Sequence, residues 1–261
     1  RQGRLSVEIP FAVNDTPGPE SATFALTAAG IAPRSIVVTS LERQVYVVDT
    51  LADSTDADGL VSLREAVEAA NQSPPSPDVP AGRTDRTDLI VFDESLAGGA
   101  IVLTRREELR VRDDLEIQGL GADRLVIDGD RKTRLFRVEM EGSLRLEGLT
   151  LTGGWTSAAG GAIYAEETSP VTVVASTIVA NEAEDGGAIA GQDVTVCSSS
   201  ILNNIAVARG GAVIGTNDAR IQIINSTLAG NQAGTSAIIS SPGGDVSISS
   251  STLVGNRGQS P

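Results

Sequence analysis

Apolar residues recur at every second position in four short runs of the C-terminal half: Val171 and Val173, Val194 and Val196, Ile221 and Ile223, Val246 and Ile248. Period two marks strands with one buried face. Each run leads to a Ser, an Ile or Leu two positions on, and an Asn three beyond that. The sets are Ser176, Ile178, Asn181; Ser199, Ile201, Asn204; Ser226, Leu228, Asn231; and Ser251, Leu253, Asn256. The runs begin 23, 27 and 25 residues apart. A second motif falls between them at Gly160-Gly-Ala-Ile163, Gly186-Gly-Ala-Ile189 and Gly210-Gly-Ala-Val213, with a degenerate copy at Ser236-Ala-Ile238. Two motifs in constant order, with a period near 25 that drifts by one or two residues, are the mark of a solenoid whose insertions fall at turns.

Looser copies precede these. Leu144 to Leu151 repeats the alternation, with Gly154 in the Asn place; Leu115 and Ile117 repeat it again; Leu89 to Phe92 and Ile101 to Leu103 read as strands that open the stack. The pattern predicts an all-β chain, a right-handed parallel β-helix of about seven coils over 89–261, roughly 34 Å long at the spacing of neighbouring strands. Asn181, Asn204, Asn231 and Asn256 are expected above one another, each amide bonding the next, and each Asn taking the left-handed backbone that turns the chain. The Gly-Gly-Ala corners allow a tight bend with the Ala inside. A β-sandwich with turn signals every 8–12 residues is the alternative. It leaves unexplained why two separate motifs share one period.

One segment carries a helical pattern. Leu63, Ala66, Val67 and Ala70 share a face, Ser62 and Glu65 form a capping box, and Asn71 with the Ser-Pro-Pro-Ser-Pro stretch ends it. An amphipathic helix over 62–71 just before a solenoid suits a plug over the first coil, because terminal coils expose core and strand edges. The expected division is an N-terminal β-strand segment (1–43), a cap containing the helix (44–88), and the β-helix (89–261). In the first segment Leu5–Val13, Ala22–Leu26 and Ser35–Thr39 read as strands. Its length is short for an independent core, so it is expected to pack on the helix or on another chain.

Composition narrows the function classes. Aromatics are 3 % and the apolar fraction 40 %, which suits a narrow aliphatic core. The formal charge is −14 with no His, so nucleic acid is excluded as a partner and the commonest general base and zinc ligand are missing. From Val171 onward there are three Arg, six Asp or Glu, and no Lys. Cys197 is the single cysteine and is expected to be a buried small hydrophobe. No apolar run is long enough for a transmembrane helix. The start at Arg1 without Met reads as processing or excerpting.

Three groups could carry chemistry. Asp53, Asp56 and Asp58 before Gly59 are the best candidates for a hard cation such as Ca²⁺, but the twelve-residue loop ending in Glu is missing and a solvated acidic turn is the favoured reading. Asp128 and Asp130 with Arg131, Arg134 and Arg137 are the most enzyme-like cluster, since polysaccharide lyases and hydrolases need carboxylates and cations together. Sugar grooves usually carry aromatic platforms, and Trp155 is the single Trp. Arg105, Arg106, Arg110 and Arg112 alternate with acidic residues and predict a salt-bridged face.

Tyr46-Val-Val-Asp-Thr50, an acidic loop, Ser62-Leu-Arg-Glu-Ala-Val67 and Ala69-Ala-Asn71 together resemble the CSLREA domain, which caps right-handed β-helices in secreted bacterial proteins. Asp88-Leu-Ile-Val-Phe92, Gly119-Leu-Gly-Ala122 and Ile127-Asp-Gly129 resemble the segments downstream of that cap in the family. Val61 stands where the family has Cys. The Gly-Gly-Ala-Ile elements resemble repeats of polymorphic outer-membrane proteins and autotransporter-like adhesins, without their Phe before the turn Asn. The resemblance runs from Tyr46 to the C-terminus. It implies an extracellular or bacterial cell-surface setting and a structural or adhesive role that needs no cofactor. On this reading the chain is non-catalytic. It docks on surface proteins, on polysaccharide or on itself, head to tail as a filament, through a last coil without a capping helix. A carbohydrate-active enzyme is the alternative.

Overall fold

A computed structural model describes the backbone at 20–28 and 31–40, and residues 43–72, 77–82, 86–139, 141–235 and 237–258. The chain divides into two units, Arg1–Glu42 and Arg43–Pro261. In the first, strands Glu20–Ala28 and Ile31–Ser40 form an antiparallel hairpin with a register break between Leu26 and Ala28. They contain two of the three expected strands; Leu5–Val13 lies outside the described residues.

The second unit is a parallel β-solenoid. One side stacks seven strands, from Gly99–Val102 through Leu125–Asp128, Thr150–Thr152, Thr177–Val179, Ser200–Leu202 and Thr227–Ala229 to Thr252–Val254. Six turns therefore separate first from last. One coil shows how sequence makes the path. Val171–Val174 buries Val171 and Val173 by alternation. Ala175 at φ 45° turns the chain, Ser176 comes next and is buried, and Thr177–Val179 buries Ile178. Ala180 at φ 57° turns it again, and Asn181 leads into the short strand Glu182–Ala183. The next corner is Gly186-Gly187-Ala188. Gly186 adopts φ 63°, a Cβ on Gly187 would stand 2.5 Å from the carbonyl oxygen of Gly211, and Ala188 is fully buried. The long strand Ile189–Cys197 then bends between Gly191 and Asp193 into the next coil.

Every buried hydrophobic side chain from Val171 to Leu228 is Val, Ile, Leu or Ala, which accounts for the scarcity of aromatics. The alternation places Cys197 on the outer side, half-buried beside Val174 and Ile224 in register, and corrects the expectation of a buried thiol. In the last described coil the inward positions Val246, Ile248 and Leu253 are 43–47 % exposed, against 0 % for Ile221, Ile223 and Leu228 one coil earlier.

Helix α1 (Leu63–Ala70) falls between the first two rungs in the chain and packs against both of them and against strand Leu109–Val111. Strand Val45–Val48 before it pairs in parallel with Asp88–Phe92 after it. The expected capping box is present: the Ser62 amide donates to Glu65 Oε2 at 2.9 Å, and the Glu65 amide donates to Ser62 Oγ at 3.1 Å. The helix is buried on more than one face, since Arg64, Glu65 and Ala69 are covered as well as the apolar stripe. Two contacts place chain over its far side: Ser62 Oγ donates to the Ser54 carbonyl at 2.7 Å, and the Gly82 amide donates to the Ala69 carbonyl at 2.7 Å.

Candidate functional site

Two side-chain ladders run along the coils. Asn204 Oδ1 accepts both the backbone N–H and the Nδ2 of Asn181, each at 3.0 Å. Asn231 does the same for Asn204, and Asn256 for Asn231, again at 3.0 Å. The row begins where the Gly154 amide donates to Asn181 Oδ1 at 2.8 Å. The remaining Nδ2 proton reaches backbone carbonyls: Ile178 from Asn204 at 3.0 Å and Ile201 from Asn231 at 2.8 Å. Asn181, Asn204 and Asn231 are buried with all these groups satisfied, as a low-dielectric interior requires.

The expected ladder is thus present, but the Asn is not the left-handed residue. That conformation belongs to the residue before it: Ala180, Asn203, Gly230 and Gly255 at φ 53–67°. The turn frees the next amide in the chain to point along the rod, and the Asn side chain of the next coil receives it.

A second ladder was not anticipated. The amides of Ser176, Ser199 and Ser226 donate to the Oγ of Ser199, Ser226 and Ser251 at 3.0–3.1 Å. Each Oγ donates to the carbonyl two residues back at 2.7 Å. The constant five-residue offset from Ser to Asn was its signal.

The cap is fixed by polar side chains that the helical pattern alone does not reveal. Arg64 Nε donates to Asp53 Oδ1 at 2.6 Å, and its Nη2 to the Glu107 carbonyl at 2.8 Å. Asp53 Oδ2 accepts the Arg105 amide at 2.9 Å. Asn71 Nδ2 donates to the Arg110 carbonyl and its Oδ1 accepts the Arg112 amide, both at 2.7 Å. Asn71 therefore bonds the edge of strand Leu109–Val111 as a neighbouring strand would.

The candidate Ca²⁺ loop is not assembled. Both Asp53 oxygens are occupied by Arg64 and the Arg105 amide, Asp58 Oδ1 accepts the Leu60 amide at 2.9 Å, and Asp56 is exposed. Among the described residues no three acidic or sulfur side chains converge as a metal site would require.

The enzyme-like cluster divides among separate ion pairs. The Asp128 carboxylate accepts the Asp130 amide at 2.8 Å, and Asp130 pairs with Lys132. Arg131 reaches Glu182 at 2.5 Å. Arg134 is buried, pairs with Glu108 at 2.5 Å and donates to the carbonyls of Ala159 and Gly160 at 2.8 and 2.9 Å. Burial pulls its guanidinium below the usual range, and Glu108 opposes the shift. Arg137 pairs with Glu166, and both Arg134 and Arg137 stand over the Tyr164 ring, at 5.1 and 5.7 Å. Asp128 and Arg137 also lie on different sides of the solenoid, in strands Leu125–Asp128 and Phe136–Val138. Arg131, Arg134 and Arg137 thus tie coils to one another, while Asp128 and Asp130 bond within their own turn.

Arg110 and Arg112 meet Glu139 of the next coil at 3.3 and 2.9 Å, as the salt-bridged reading expects, although the partner lies a coil away. Arg105 instead donates to Thr55 Oγ1 at 2.9 Å. A groove of about 570 Å³ runs between α1 and strand Leu109–Val111, lined by Arg64, Glu68, Arg106, Glu107 and Arg110 among others. Burial raises the Glu68 carboxyl above its ordinary range, against the pull of Arg64 and Arg105.

No described helix is long and apolar enough to cross a membrane. The chain matches no family model, no curated protein and no solved structure, so the likeness to CSLREA caps and outer-membrane repeats rests on the residues that carry it.

Proposed function

We propose that this chain is a non-catalytic structural or adhesive scaffold, extracellular or on a cell surface, that docks on other surface proteins or on itself. One observation carries the reading: the guanidiniums best suited to chemistry are engaged in ion pairs between coils, and the carboxylates of Asp128 and Asp130 bond within their own turn. Arg134 with Glu108 and Arg131 with Glu182 each join residues from different coils. A lyase or hydrolase needs such groups aimed at a shared point in a groove. The likeness of the helix and its flanks to CSLREA caps supports the extracellular setting.

The test is cleavage. Purified chain is incubated with a panel of acidic and neutral polysaccharides, beside Asp128→Ala. No product from either protein is the expected result. Product from the parent that disappears in Asp128→Ala overturns the scaffold reading in favour of a carbohydrate-active enzyme.

A further inference from the structure

Trp155 is the single tryptophan and is 40 % exposed. Its backbone bridges to Glu182, and the same register continues through Ile205, Gln232 and Arg257. Parallel partners stand about 4.8 Å apart on the same side of a sheet, so these residues form one outward row. Alternation across the buried Ala183 and Ala206 sets Glu184 and Val207 in a second outward row beside it. Ile205 is 38 % and Val207 57 % exposed. Between Gly142 and Gly244, Ile224 is the one other large apolar side chain so exposed among the described residues. A narrow strip across three coils therefore carries an indole, two carboxylates and two uncovered aliphatic side chains.

Charge selects the occupant. Glu182 is held by Arg131, while Glu184 is exposed and has no ion-pair partner among the described residues. From Val171 onward, where most of the strip lies, six acidic residues stand against three Arg. An indole face beside carboxylates attracts a cation, and exposed aliphatic side chains cover the methylene stem of a Lys or Arg. A neutral glycan can meet Glu184 only through hydroxyl hydrogen bonds and leaves its charge uncompensated. We propose that the strip formed by Trp155, Glu182, Glu184, Ile205 and Val207 is a docking surface for a Lys- or Arg-rich extended segment of a partner protein. The proposal rests on the scaffold reading and names its partner's chemistry.

The lone indole reports on its own surroundings. The full chain is titrated with hexalysine at low salt and followed by Trp155 emission, with hexaglutamate and cellohexaose in parallel. A saturable change with hexalysine alone is expected. The affinity should weaken about fivefold in Glu184→Gln, the weight of one exposed ion pair, and should weaken also in Val207→Ser and with added salt. Glu94→Gln, on the first coil, should leave it unchanged. No emission change, equal affinity in Glu184→Gln, or a response to cellohexaose alone overturns the proposal. Asp128 lies on a different strand stack, so failure here and failure of the scaffold reading give separate signals.

Discussion

The coils after Val171 and the coils before it take similar backbone paths and hold them by different chemistry. In the later coils the turns before the ladders fall on Asn225 and Asn203, which tolerate a left-handed backbone, and on Ala175, Ala180 and Ser198, which dislike it. Each such residue costs about 1–2 kcal/mol. The Ser or Asn next in the chain offsets this by satisfying a buried amide and carbonyls of its neighbours. In the coil before Val171 the equivalent turns fall on Gly148 and Gly153, and the ladder places are held by Leu149 and Gly154. There the outer sides carry ion pairs between coils, such as Arg112 with Glu139 and Arg137 with Glu166. The difference teaches that a neutral ladder needs a faithful repeat, since one wrong residue leaves buried groups on both sides unpaired. Ion pairs between long side chains reach across irregular coils and tolerate poorer repetition.

The ladder is where the comparison breaks most visibly. Asn204→Ala leaves the Asn181 amide buried without a partner and removes the side-chain bonds of Asn204 to Asn181 Nδ2, the Ile178 carbonyl and Asn231. At about 1–3 kcal/mol for the unsatisfied amide and about 1 kcal/mol for each bond lost, a loss of roughly 3 kcal/mol or more is expected in urea unfolding. Truncating a surface pair of the earlier coils, as in Arg112→Ala, should cost under about 1 kcal/mol. Comparable losses from the two would erase the distinction.

The cap ion pair is more deeply buried than those of the coils beside it, the Arg134–Glu108 pair included. The Arg64 and Asp53 side chains are only 4 % and 1 % exposed. Arg64→Ala strands the Asp53 charge, and about 3–5 kcal/mol is expected. Hydrogen exchange should locate the loosening in α1 and the first coil and leave the Asn ladder protected. Uniform loosening over all coils would show that the two regions are not separable.

The smallest expected effect is a pH dependence at Glu68. Burial raises its folded carboxyl above the ordinary glutamate range. The protonated form is thus favoured in the folded state, and the stability it contributes is complete below the unfolded value and lost as pH rises through the folded one. Glu68→Gln should therefore raise the melting temperature slightly at pH 7 and leave it unchanged well below the unfolded value. A lower melting temperature at pH 7 would reverse the sign.

Much of the solenoid was legible in the sequence for one physical reason. A residue inside a stacked coil meets its own counterpart above and below, so Asn181, Asn204 and Asn231 reveal their contacts by recurring. The capping box was legible because it is local, with Ser62 and Glu65 three residues apart. Contacts that do not recur stayed hidden. Arg64 finds Asp53 eleven residues away and Asn71 finds Arg110 through the fold. Asp53, Asp56 and Asp58 looked like a cation loop because spacing says nothing of a buried Arg that takes the first of them. Cys197 faces outward because Val194 and Val196 take the inward positions of its strand, and composition alone does not show that phase.

The central claim is that each ladder Asn is bonded inside the rod by the Asn of the next coil. Side-chain amide exchange, monitored by NMR after transfer to deuterated buffer, reads this directly. The Nδ2 protons of Asn181, Asn204 and Asn231 should exchange orders of magnitude more slowly than those of the exposed Asn217 and Asn225. Equal exchange for all five would contradict the stacked ladder and the solenoid built on it.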